Sequence, residues 1–186
     1  MVIYVKNMVC NRCKMVVKSE LEKLGFHPLA VELGEVELKD TPSEEDLEKI
    51  TKRFAEIGFE LIDDKRSRLI ERVKTLIVEL VHHSDETIQV NVSDYLVKHI
   101  PMEYKYLSTL FSEIEGTTIE KFYISQRIER VKELLVYDEW SLSQIADQMG
   151  YSSVAYLSTQ FKKVTGLTPS HFKSIKESKR KPLDQL

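Results

Sequence analysis

Tyr106-Leu107-Ser108-Thr109-Leu110-Phe111 recurs fifty residues on as Tyr156-Leu157-Ser158-Thr159-Gln160-Phe161. Each copy runs on to a glycine, Gly116 and Gly166. The same offset pairs Asn91 with Ser141 and Phe122 with Phe172. Self-similarity at one fixed offset marks a repeated structural unit, so residues 91–172 hold two copies of one helical motif. Three- and four-residue spacing puts Leu107, Leu110 and Phe111 on one helix face, and Leu157 and Phe161 on the matching face of the second copy. The opposite face carries Lys105, Ser108 and Thr109 in one copy and Ser158, Thr159 and Lys162 in the other. An apolar face, a short polar face and a preceding helix-turn segment are what a helix needs to dock on a core and offer side chains to a DNA groove.

Working outward, the second copy reads Ser141-Leu142-Ser143-Gln144-Ile145-Ala146-Asp147-Gln148-Met149-Gly150-Tyr151-Ser152-Ser153, then Tyr156 to Lys163, then Gly166-Leu167-Thr168-Pro169 with Phe172. This stretch resembles the second helix-turn-helix of the AraC/XylS family, including its I-A-x-x-x-G-[YF] and F-K-K-x-x-G-x-x-P elements. Residues 91–122 resemble the first helix-turn-helix of that family, with Ile100 where a turn glycine is usual. Gln126 to Leu135 resembles its joining helix. The resemblance implies a transcription regulator that binds promoter DNA and works with RNA polymerase. Its two units would enter successive major-groove faces about 34 Å apart. Carried over by position, the base-edge candidates are Lys105, Ser108 and Thr109, then Ala155, Ser158 and Thr159, with Lys162 and Lys163 on phosphates. The family often has arginine where Thr109 and Thr159 stand, and a basic pair where Ser112 and Glu113 stand.

The 186 residues allow one large domain or two small ones. An apolar share of 42% suffices for packed cores, and 31% charged residues with no long apolar run exclude a membrane-spanning chain. Residues 1–20 lack the blocks of a signal peptide, so the expected compartment is the cytoplasm. The net charge of −3 is unevenly spread: −2 over residues 1–84, −5 over 85–140 and +4 over 141–186. Basic groups gather at Lys162, Lys163, Lys173, Lys176, Lys179, Arg180 and Lys181. Phosphate affinity is therefore expected mainly from the second unit, with Lys176 to Lys181 read as a solvated tail.

The first half reads as alternating elements. Val2 to Lys6 is β-rich, and Lys14 to Gly25 has Val16, Val17, Leu21 and Leu24 at helical spacing. His27 to Leu33 and Glu35 to Lys39 read as strands joined at Gly34. Ser43 caps a helix running through Leu47, Ile50, Phe54 and Ile57, and Phe59 to Ile62 gives a last strand. The fold class is thus α+β, with a ferredoxin-like βαββαβ domain over 1–64, a connector helix over 65–84 and an all-α domain over 85–186.

Met8-Val9-Cys10-Asn11-Arg12-Cys13 lies between the first strand and first helix, with Cys13 opening that helix. Order and motif resemble the heavy-metal-associated domain, although Asn7 stands where a glycine is common. The resemblance implies that Cys10 and Cys13 bind a soft ion. Two thiolates without a nearby carboxylate or imidazole favour Cu(I), with Zn(II) or Cd(II) as other candidates, since zinc usually takes four ligands. A dithiol redox switch and a pair of ordinary buried cysteines are the other readings, and Met8 reads as core filler before third ligand. Residues 65–83 form an amphipathic helix by pattern, with Ile70, Val73, Ile77 and Leu80 in a stripe widened by Leu69, Leu76 and Val81. That stripe either packs on its own chain or joins a homodimer; a metal-bridged pair of Cys10/Cys13 loops is another route to one. His82 and His83 read as a polar helix end.

Together these patterns point to a metal-responsive DNA-binding regulator. The alternatives are a dithiol redox-sensing regulator, or a metal-trafficking protein with a helical partner-docking module. No enzyme motif competes: there is no H-E-x-x-H, phosphate-binding glycine loop or G-x-S-x-G.

Overall fold

The computed structural model describes residues 1–62, 64–83, 87–88, 90–137 and 139–177. Lys179, Arg180 and Lys181, the side chain of Lys176, and the junction at 84–86 between connector and C-terminal segment lie outside the described residues. The chain divides into two compact units. One is Met1–Leu76 with Thr109–Ile114, and the other is Ile77–Ser108 with the residues from Glu115 onward.

In the first unit the elements follow as β1 (Val2–Lys6), α1 (Asn11–Lys23), β2 (Pro28–Glu32), β3 (Glu35–Leu38), α2 (Glu44–Glu56), β4 (Glu60–Ile62) and α3 (Lys65–Val78). The strands make one antiparallel sheet in the order β2-β3-β1-β4. Alternation sets its faces: Ile3 and Val5 of β1 are buried, whereas Tyr4 and Lys6 point the other way. Ile3, Val5, Val36 and Leu38 form the core with Val17 and Leu21 of α1 and Ile50 and Phe54 of α2. Ser43 starts α2 through a reciprocal capping box with Asp46, its hydroxyl accepting the Asp46 N–H at 3.2 Å. Glu20 of α1 is buried and clasped by Arg53 of α2 at 2.6 Å and Lys23 at 2.7 Å. Arg53 first and Lys23 second hold its carboxyl down to about 2. The other side of the sheet meets α3, where the Arg68 guanidinium lies 4.5 Å from the Tyr4 ring centre.

The connector departs from one uniform helix. Its α-helix ends at Val78, and Glu79–His83 forms a π-helical turn. Ile70, Val73, Leu76, Ile77, Leu80 and Val81 are already buried within the single chain. The side chains of the apolar stripe are therefore covered within one chain. His82 is more than a polar helix end: its Nε2 lies 3.0 Å from Gln126 Oε1, and burial lowers its pKa.

The remaining helices are α4 (Val92–His99), α5 (Tyr104–Glu115), whose residues Thr109–Ile114 belong to the first unit, α6 (Ile119–Tyr137), α7 (Leu142–Gln148), α8 (Val154–Thr165) and α9 (Pro169–Glu177). The long α6 buries Ile119, Tyr123, Ile128, Val131 and Leu135 and packs against the π-turn, α7, α8 and α9. Each repeat copy begins with a capped helix. Asn91 accepts the Ser93 N–H at 3.1 Å, and Ser141 forms a capping box with Gln144. Among the described residues no helix is long and apolar enough to cross a membrane.

Candidate nucleic-acid interface and thiol site

The repeat in sequence is a repeat in burial. Along Tyr104–Phe111 and Val154–Phe161, Leu107, Phe111, Leu157 and Phe161 are buried. Lys105, Tyr106, Thr109, Ala155, Tyr156 and Thr159 are exposed at matching positions, or nearly so, and Ser108 and Ser158 are half-buried. Both helices thus pin one face to the core and turn the candidate positions outward. Ser153 caps α8 by accepting the Tyr156 N–H at 3.1 Å, and Gly166 closes it in the left-handed region at φ 80°. Lys162 and Lys163 are exposed in the last turn of α8, with no ion pair among the described residues. Thr159 donates its hydroxyl back to Ala155 O at 2.9 Å, which leaves its oxygen as an acceptor and its methyl as an apolar contact.

The two turns solve the same bend differently. In the second copy Gly150 follows α7 at φ 66°. In the first, Ile100 ends α4 in an extended conformation, φ −123° and ψ 117°, as expected of a residue before Pro101. A residue leaving in that direction has no use for a left-handed glycine.

Sequence reasoning missed a cluster around Gly150. Ile88, ahead of the first copy, donates its N–H to Gln148 O at 3.0 Å, and a Cβ on Gly150 would sit 1.9 Å from Ile88 O. Arg127 of α6 reaches the same turn: its Nη2 donates to Met149 O, and its guanidinium stacks 3.8 Å from the Tyr151 ring centre and 5.3 Å from that of Tyr123. Among the described residues its Nε is buried without a hydrogen-bond partner. Burial pushes the Tyr151 hydroxyl up to about 12 while it donates to Gln160 Oε1 at 2.6 Å. The joining helix therefore grips the second turn through a charge on aromatic rings and a helix-end carbonyl.

A family profile described as a helix-turn-helix domain matches residues 96–175. The C-terminal domain of AraT, a response regulator from Geobacillus stearothermophilus, superposes with a TM-score of 0.52 at 22% identity, over 64% of this chain and 93% of that one. Residues 96–175 therefore carry a helix-turn-helix domain. A DNA-binding transcriptional dual regulator from Escherichia coli K-12 shares the fold at a TM-score of 0.50 and 22% identity, over 60% of this chain and 94% of that one. Among curated relatives, the regulatory protein PocR of Salmonella typhimurium is 25% identical over 170 residues, which are 91% of this chain and 48% of that protein. The xylose operon regulatory protein of Escherichia coli K12 is 25% identical over 120 residues, 58% of this chain and 30% of that protein. The chain thus spans under half the length of either curated relative.

Outside the helix-turn-helix domain, the cysteine loop has its own architecture. Cys10, and not Cys13, stands at the N-cap position of α1, which begins at Asn11, and its side chain makes no capping hydrogen bond there. The difference is one turn of helix: Cys13 lies inside it, so both sulfurs face the same side, 3.4 Å apart. The Cys10 thiol is held below its ordinary value, chiefly by the backbone N–H of Cys13 and further by the Cys13 side chain and Arg12, against the opposing effect of burial. Met8 is 2% exposed and packs in the core, as filler should. Asn7 occupies the left-handed region at φ 71°, a conformation that asparagine tolerates better than most residues. Its N–H donates to the buried Glu71 carboxylate of α3 at 3.1 Å and its Nδ2 to Gly58 O at 3.0 Å. The root of the thiol loop is therefore tied to the connector helix. Among the described residues no group of three or more His, Cys, Asp or Glu side chains could hold a metal. Two soft sulfurs suit a soft ion of low coordination number better than a four-coordinate zinc site.

Proposed function

We propose that this chain is a sequence-specific, DNA-binding transcription regulator whose N-terminal unit, read as ferredoxin-like from its element and strand order, senses a soft metal ion at Cys10 and Cys13. The observation that carries the DNA reading is the pair of helices α5 and α8 with matching outward faces, within a segment that matches a helix-turn-helix domain. Lys105, Ser108, Thr109, Ala155, Ser158 and Thr159 are the proposed groove contacts, and Lys162 and Lys163 the proposed phosphate contacts. The names of the relatives favour the same assignment, and no step in it is enzymatic. Such a protein would work in the cytoplasm beside RNA polymerase.

The metal part rests on the thiol pair. Cys10 and Cys13 would hold the ion, Cu(I) before Zn(II) or Cd(II), and it would supply a soft Lewis acid joining two sulfurs. The Asn7 to Glu71 hydrogen bond offers a route by which a change at the loop could be felt in α3. Metal can shift DNA affinity only by its differential affinity for two arrangements, so the effect must be reciprocal. A dithiol redox sensor is the second reading, favoured by the 3.4 Å sulfur separation and the depressed Cys10 thiol.

One experiment tests both parts. The full chain is titrated onto a duplex from upstream of its own coding sequence, with and without Cu(I), Zn(II), Cd(II) or an oxidant, beside a form carrying Cys10→Ser and Cys13→Ser. Binding that responds to a soft metal, and loses the response in the serine form, supports the proposal. A response to oxidant alone replaces the metal reading with the redox one, and no binding to any duplex overturns the regulator.

A further inference from the structure

The first residue of each repeated stretch is a tyrosine that no core needs. Tyr106 is 49% exposed and Tyr156 52% exposed, both on the third residue of their helix. Among the described residues neither hydroxyl has a hydrogen-bond partner, and Tyr106 has no ring contact either. Only Tyr156 is braced, its ring standing edge-on to Tyr151 with centres 5.8 Å apart. Two unsatisfied phenols at one repeat position are unlike scattered surface aromatics, because the offset places them identically against the faces already described.

Helical spacing says what they border. Tyr156 is three residues before Thr159 and seven before Lys163, so it shares a flank with the proposed groove-facing threonine and a proposed phosphate-binding lysine. Tyr106 stands likewise three before Thr109, but seven residues on is Glu113, where the second copy has Lys163. The flank of the first recognition helix therefore carries an acid in place of the lysine, and a tyrosine hydroxyl is its unspent donor. Neutral hydroxyls are regular partners of DNA phosphates, fixing register without carrying sequence information.

We propose that Tyr106 and Tyr156 are phosphate-positioning residues, each donating its hydroxyl to a backbone phosphate beside the groove its helix enters. The inference rests on the DNA-binding reading above and adds two contacts to it. Tyr156 is held ready by Tyr151, whereas Tyr106 orders on binding, so the contact from Tyr156 costs less entropy to make.

The test is Tyr106→Phe and Tyr156→Phe in the full chain, which keep both rings and every packing contact. Affinity is read by fluorescence anisotropy on the upstream duplex and on an unrelated duplex of equal length, across a salt series. Each variant is expected to bind both duplexes more weakly by about tenfold or more, the loss of one hydrogen bond to a charged acceptor. The ratio between duplexes and the salt slope should stay at wild-type values, because a neutral donor releases no counterion. Lys163→Ala in the same series should flatten the slope. Binding within twofold of wild type, or a loss confined to the upstream duplex, overturns the proposal. Wild type that binds neither duplex at low salt overturns the DNA reading and this inference with it.

Discussion

Gly150→Ala should cost far more than its size suggests, and the structure says how much more. At φ 66° any L-residue pays the left-handed penalty, about 1–2 kcal/mol. That much also applies to Gly166→Ala, where φ is 80° and nothing lies within 4 Å of the added Cβ. At Gly150 the Cβ would also sit 1.9 Å from Ile88 O and 3.0 Å from its carbonyl carbon, both backbone atoms that cannot rotate away. Relief means lifting Ile88 off the turn. That forfeits the Ile88 N–H to Gln148 O hydrogen bond, about 1 kcal/mol, and the burial of an isoleucine 6% exposed, roughly 1.5–3 kcal/mol. The expected loss is about 3–6 kcal/mol for Gly150→Ala against about 1–2 for Gly166→Ala. Urea unfolding followed by fluorescence of the chain's single tryptophan, Trp140, reads this unit, since Trp140 lies between α6 and α7. A form beginning at residue 90 lacks Ile88, and in it the two alanine variants should cost the same. Equal costs in the full chain would refute the argument that Ile88 creates the demand for glycine.

Replacing Lys162 and Lys163 with alanine should weaken binding to every duplex and reduce the salt slope by about one unit for each phosphate left unneutralised, measured by anisotropy across a salt series. Lys105→Ala weakening binding more than this double change would assign the dominant head to the first copy. Ser141→Ala removes the hydroxyl that caps α7 and should lower the stability of the second unit by about 1 kcal/mol in urea, with Asn91→Ala of similar size at α4. Glu20 gives a pH dependence. Its folded pKa of about 2 lies below the unfolded carboxylate value, so its contribution is complete above the unfolded value and fades as the pH falls towards 2. Arg53→Met should flatten the acid limb of the stability profile between those values, and an unchanged limb would remove Glu20 as its cause. His82 acts in the same direction at higher pH: burial lowers its pKa, so protonation favours the unfolded chain as the pH drops below the ordinary histidine value.

Much of this protein was legible in the sequence because the signals are local. The helix starts at Ser43, Asn91 and Ser141, the stripe from Ile70 to Leu80, and the alternation in β1 are each settled within a few residues by caps and periodicity. The repeat added the outward faces of α5 and α8, since one offset applied to one burial pattern yields both. Tyr106 and Tyr156 open the repeated stretch, and the same offset singles them out.

Other features depend on where the chain returns to itself. Gly150 answers to Ile88, 62 residues earlier, and Asn7 to Glu71, 64 residues later, so neither pairing leaves a trace in the spacing around it. That Cys10 stands at the N-cap position of α1, with Cys13 one turn inside, is set in a loop whose root, Asn7, is held by Glu71 and Gly58. Whether the connector stripe faced a second chain or its own was likewise open from periodicity, which reports that a face is apolar but not what covers it. Only the tertiary structure shows those side chains covered within the single chain, which removes their apolar area from water without the entropy of bringing two molecules together.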